Sequence, residues 1–94
     1  MRNEFYNAIR RHIEMNANKT GYGGSLINYQ IGEDEIYDAS LVSLRVYKTR
    51  VHSDVVRLAC GVSFAHEPLP EKLVLLPSLN AIVQLQKKYE VNNA

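Results

Sequence analysis

The run Leu41-Val-Ser-Leu-Arg-Val-Tyr-Lys-Thr-Arg50, with Val55-Val-Arg-Leu-Ala-Cys-Gly-Val-Ser-Phe64 after it, decides how this chain is read. In the first run Val42, Leu44 and Val46 point one way, and Ser43, Arg45, Tyr47 and Thr49 point the other. In the second, Val56, Leu58, Cys60, Val62 and Phe64 share a face opposite Val55, Arg57, Ala59, Gly61 and Ser63. A period of two marks strands with one buried face. Val42, Val46, Tyr47, Thr49 and Val51 add strand propensity. Gly61 argues the same way, because an interior glycine costs a helix about 1 kcal/mol. The competing reading of the first run is a helix capped by Asp38 or Ser40, which Leu41, Leu44 and Lys48 fit loosely. Together the runs predict a hairpin turning at Val51-His-Ser-Asp54.

On the N-terminal side, residues 2–17 read as an amphipathic helix, with Phe5, Ile9, His12, Ile13 and Asn16 on one stripe and Ala8 beside it. Lys19-Thr-Gly-Tyr-Gly-Gly-Ser25 reads as a loop. Leu26 to Ile31 reads as a short strand, with Ile27, Tyr29 and Ile31 on one face, followed by a hydrophilic turn at Gly32-Glu-Asp-Glu35. Beyond the hairpin, Ala65-His-Glu-Pro-Leu-Pro70 is a crossover loop, and Leu73-Val-Leu-Leu76 is a buried strand or a helical turn. Residues 78–90 read as a helix on which Ser78, Ile82, Leu85 and Tyr89 stack, with Pro77 in its first turn and Lys87 and Lys88 at its negative end. The order predicts a single α+β domain over residues 1–94: an N-terminal helix, an antiparallel sheet of three to four strands, and a C-terminal helix, with the helices on one sheet face.

At 94 residues the core is thin, so self-association would add buried surface. The chain is 46% apolar and 22% charged with a net charge of +1, which gives no global case for nucleic acid or an anionic membrane. Charge is segregated locally: Glu33, Asp34, Glu35 and Asp38 precede Arg45, Lys48, Arg50 and Arg57. Cys60 is the only cysteine, so no internal disulfide forms, and a reducing cytoplasmic setting is expected. On the apolar face of its run, Cys60 reads as a small buried hydrophobe. No apolar run is long enough to span a bilayer, and the N-terminus lacks an apolar signal core.

Catalytic and cofactor signatures are absent. His12, His52 and His66 have no His or Cys at zinc spacing, so no metal is expected. His12 reads as a core-edge histidine, while His52 and His66 fall in a turn and a loop that face solvent. The acids cluster in a turn where they stay hydrated, unlike a paired-carboxylate site. Gly21-Tyr-Gly-Gly-Ser25 lacks the Lys-Ser/Thr of a phosphate loop, although Tyr22, Gly23 and Gly24 form a loop able to contact a ligand.

The polar hairpin face is the other candidate surface. Arg45, Tyr47, Lys48, Arg50 and Arg57 put basic groups beside an aromatic, as on platforms that stack single-stranded nucleic acid. The small residues Val55, Ala59, Gly61 and Ser63 equally suit a subunit interface. The leading expectation is a non-enzymatic interaction or regulatory protein, such as an inhibitor or accessory protein, acting as a homo-oligomer without a cofactor. A nucleic-acid module using the basic face comes second, and a small-ligand binder using the glycine loop third.

Overall fold

Both central runs open as helices; Ser63 and Phe64, at the end of the second, lie outside the described residues. The structure, a computed structural model, describes residues 2–17, 26–62 and 67–89. Within them lie α1 (Arg2–Asn16), β1 (Leu26–Gln30), α2 (Ala39–Tyr47), α3 (Ser53–Ala59), β2 (Leu73–Pro77) and α4 (Leu79–Lys88). Single 3₁₀ turns at Glu33–Glu35 and Arg50–His52 lead into α2 and α3. The fold is α+β, as expected. Among the described residues, however, the sheet has two antiparallel strands and not three to four, and the hairpin is an α2–α3 helix pair.

The correction has a local cause. Asp38 caps α2, its carboxylate accepting the Leu41 N–H at 3.1 Å while the Ser40 hydroxyl donates to the same oxygen. From that start Ala39, Val42, Ser43, Val46 and Tyr47 face inward, the i, i+3, i+4 spacing of a helix. Leu44, which the alternating pattern turned inward, is exposed. His52 of the expected turn and Val55 and Val56 of the second run are buried, and Ala59 completes the same spacing against the core. Gly61 lies beyond the end of α3, with φ at +76°. Its N–H bonds Leu58 O at 3.1 Å, and the Val62 N–H reaches back to Arg57 O at 2.9 Å. This is a Schellman stop, which requires the left-handed conformation that glycine adopts without strain. Gly61 therefore terminates a helix; it does not interrupt one. The propensity of the valines amounts to tenths of a kcal/mol each and yields to capping and burial.

Ser43 joins the two helices. Fully buried, it donates its hydroxyl to Thr49 O and accepts the His52 N–H at 3.2 Å. Lys48 ends α2 in the left-handed region, φ 66°, and its N–H caps Leu44 O at 3.0 Å.

The expected outer elements are present. β1 pairs with β2 from Leu26 opposite Pro77 to Gln30 opposite Leu73, and the Ile31 N–H extends the ladder to Lys72 O at 3.0 Å. Leu73 to Leu76 is thus strand. Pro77 closes β2 and does not open α4, whose N-cap is Ser78, its hydroxyl oxygen accepting the Ala81 N–H at 3.2 Å. Helices α1 and α3 pack on β2, and α4 packs on α1. Phe5, Ile9, Val42, Val56, Leu76 and Ile82 form the buried centre, with Ile13, Leu58 and Leu85 at its margin. Among the described residues no helix is long and apolar enough to cross a membrane. Because Leu76 is fully buried at this junction, Leu76→Ala should lower unfolding free energy by about 2–5 kcal/mol in urea titrations. A loss within about 0.5 kcal/mol, typical of surface changes, would place Leu76 outside the core.

Candidate functional site

Residues four apart on a helix share a face, so α1 presents Tyr6 and Arg10 together. On α3 the same rule groups Asp54, Arg57 and Leu58. Where α1 meets α3 these side chains line a cavity of about 400 Å³, with Gly61 and Val62 of the Schellman turn also in its lining. The Tyr6 hydroxyl crosses the cavity to donate to Asp54 Oδ2 at 2.7 Å. Asp54 Oδ1 accepts the Val55 N–H at 2.8 Å. Arg10 is exposed and Arg57 half-buried, and neither forms an ion pair among the described residues. A smaller cavity of about 240 Å³ lies beside Ile13, Cys60 and Val74. Expected to be buried, Cys60 is half-buried at the α3 C-cap, its thiol pushed up to about 11 by burial against the opposing pull of Lys72.

The other expected site residues are scattered. Arg45 lies on α2 and pairs with Asp34 at 2.8 Å and Glu35 at 3.0 Å. The Arg45 guanidinium holds Asp34 below the usual carboxylate range, and both acids raise Arg45 in return. Arg50 donates to Ser40 Oγ at 2.7 Å and stands 3.8 Å from Asp38. Asp38 is held low first by the Ser40 hydroxyl, then by the Leu41 N–H and Arg50. Tyr47 is buried, its hydroxyl donating to Pro77 O at 2.6 Å, and burial raises its pKa. Lys48 is exposed at the helix end. Of these five residues only Arg57 lines the cavity, and no sheet face unites them. The hairpin platform is absent because its two strands are helices. Tyr22, Gly23 and Gly24, with the rest of the glycine loop, lie outside the described residues, as does His66.

Two groups expected in solvent are buried. Glu35 is 1% exposed. Its carboxylate accepts the Tyr29 hydroxyl and, at 2.7 Å, the Gly32 N–H, besides its pair with Arg45. Burial raises the Tyr29 pKa, and the adjoining Glu35 carboxylate adds to the effect. His52 is 3% exposed, edge-on to the Tyr47 ring at 5.4 Å. Its Nδ1 has no hydrogen-bond partner among the described residues. Burial lowers its pKa, while the Asp54 charge pulls the other way. Among the described residues no three His, Cys, Asp or Glu side chains are grouped to hold a metal ion.

No known protein family, curated protein or solved structure matches this chain. The sequence reading missed Tyr6, Arg10 and Asp54 as cavity residues. Their signal was helical spacing, Tyr6 to Arg10 on the polar side of the expected N-terminal helix and Asp54 to Arg57, the latter hidden by the strand reading of the second run.

Removing Glu35 would leave the Tyr29 hydroxyl and the Gly32 N–H without their acceptor. Glu35→Ala should therefore cost about 3 kcal/mol in urea unfolding, the low end for a broken buried pair because Arg45 is half in solvent. A loss under about 1 kcal/mol would rule out this role. His52 gives a pH dependence of known sign. The unfolded chain takes up a proton near 6.5, whereas the fold resists it to lower pH. Stability contributed by neutral His52 is thus complete above 6.5, declines as pH falls through that value, and levels off below the folded pKa. Between about pH 7.5 and 5.5 the parent chain should lose more stability than a His52→Gln variant. Equal losses would show that His52 titrates freely.

Proposed function

We propose that the protein is a non-enzymatic interaction protein of regulatory type that works as an assembly of its own copies. The observation that supports this is the sheet, two-stranded among the described residues. Two strands alone are marginal in water, and an uncovered edge offers unpaired N–H and C=O groups to another chain. The helices pack chiefly on β2, so β1 is the outer strand. Antiparallel pairing of β1 with β1 of a second copy makes a four-stranded sheet about a twofold axis, an isologous contact of the commonest kind. Exposed Leu73 and Met15 supply further apolar surface for protein contact.

A cytoplasmic setting belongs to the same reading, supported by the single cysteine. The nucleic-acid alternative loses its platform, since Arg45 and Arg50 face acids and the Tyr47 ring is buried. Sedimentation at tens of micromolar should show a dimer or larger species. Replacing exposed Asn28 and Gln30 by lysine sets like charges across the proposed seam and should yield monomer with an unchanged circular dichroism spectrum. A monomeric parent chain would overturn the assembly, and an assembly indifferent to both lysines would move it away from β1.

A further inference from the structure

The α1–α3 cavity has the parts of a ligand site. About 400 Å³ is the size of a small-molecule pocket. Arg10 and Arg57 line it, and among the described residues neither guanidinium has a carboxylate partner, whereas Arg45 and Arg50 both do. The acid in the same wall, Asp54, is bonded to the Tyr6 hydroxyl and the Val55 N–H. Guanidinium groups bind carboxylates through paired, charge-assisted hydrogen bonds. Leu58 and Val62 give the cavity apolar surface continuous with the core. At Gly61, among the described residues and apart from its chain neighbours, no atom lies within 4 Å of where a side chain would begin.

We propose that this cavity binds a small organic carboxylate with an apolar body. Arg10 and Arg57 take the carboxylate, and Leu58 and Val62 cover the carbon chain. Asp54 selects among anions: its charge opposes a phosphate dianion more than a singly charged carboxylate. Nothing in this site involves β1, so it stands or falls separately from the proposed assembly.

The test is a titration of the full-length, isotope-labelled protein followed by amide and arginine side-chain NMR signals. Hexanoate should shift the Arg57, Gly61 and Val62 signals saturably. Acetate, shorter by four methylenes, should bind at least tenfold more weakly, since at about 0.8 kcal/mol for each buried methylene two of the four suffice for that factor. Hexylamine should leave these signals in place, and inorganic phosphate should bind more weakly than hexanoate. Arg10→Ala and Arg57→Ala should each weaken hexanoate by about tenfold or more. Arg11→Ala, outside the cavity, should not weaken it. The proposal is overturned if hexanoate produces no saturable shift, if phosphate or hexylamine matches it, or if both arginine variants bind it as the parent does. Because the ligand series uses the parent chain, it decides the question even where a variant fails to fold.

Discussion

A carboxylate out of water must find partners, and Glu35 imposes that demand on the middle of this fold. Its oxygens meet the Tyr29 hydroxyl from β1, the Gly32 N–H from the turn and the Arg45 guanidinium from α2. The strand, the turn and the helix are therefore fixed relative to one another by a single side chain. Position 32 is closely approached: a Cβ there would lie 3.1 Å from Asp34 Oδ1 and 3.2 Å from Glu35 Oε1, so a larger residue would press on both carboxylates. The same segment also receives the chain returning toward β2, because the Leu69 N–H bonds Ile36 O at 2.7 Å. An apolar residue of similar volume would meet the packing demand but none of these directional ones.

Once α2 is oriented, Ser43 sets α3. A buried hydroxyl has one proton to give and lone pairs to receive, and here both are used between the two helices, toward Thr49 O and from the His52 N–H. The entry of α3 is fixed at one end by this pair and its exit at the other by the Gly61 stop. Only seven residues separate these limits, Ser53–Ala59. In two turns a helix can commit one stripe to the core and leave one outside. Val55 and Val56 take the core, and Asp54, Arg57 and Leu58 face α1. The cavity follows from where α3 begins and ends.

The ends of the chain were legible because their periodic patterns ran long enough to choose between periods. Phe5, Ile9 and Ile82 are where the sequence put them. β1 was legible from Ile27, Tyr29 and Ile31. The middle was not, because Val42 and Val46 are apolar under a period of two and under a period of 3.6 alike. Leu44 tips the count toward strand although it faces solvent. The stop signals were hidden in different ways. Lys48 takes the left-handed conformation without being glycine, and Gly61 was read as an interior residue when it marked an end. Of the residues singled out on the polar face, Arg57 reached a cavity because on either reading it points away from Val56. The burial of Glu35 and His52 had no local signal. An acid among acids and a histidine in a turn look hydrated until tertiary contacts cover them.

Charge in this molecule divides by what it touches. Arg45 and Arg50 are spent on Asp34, Glu35 and Asp38, within a turn and a helix start that would otherwise concentrate four acids. The segregation of charge along the sequence is therefore largely neutralised in three dimensions. The proposed assembly rests on backbone pairing at β1. Arg10 and Arg57 are brought to one cavity and, among the described residues, have no such partners. The proposed seam and the cavity share no residue, yet α1 and α3 both rest on β2, and β2 is held by β1. The strand pair is thus the common support of the two helices that form the walls of the cavity.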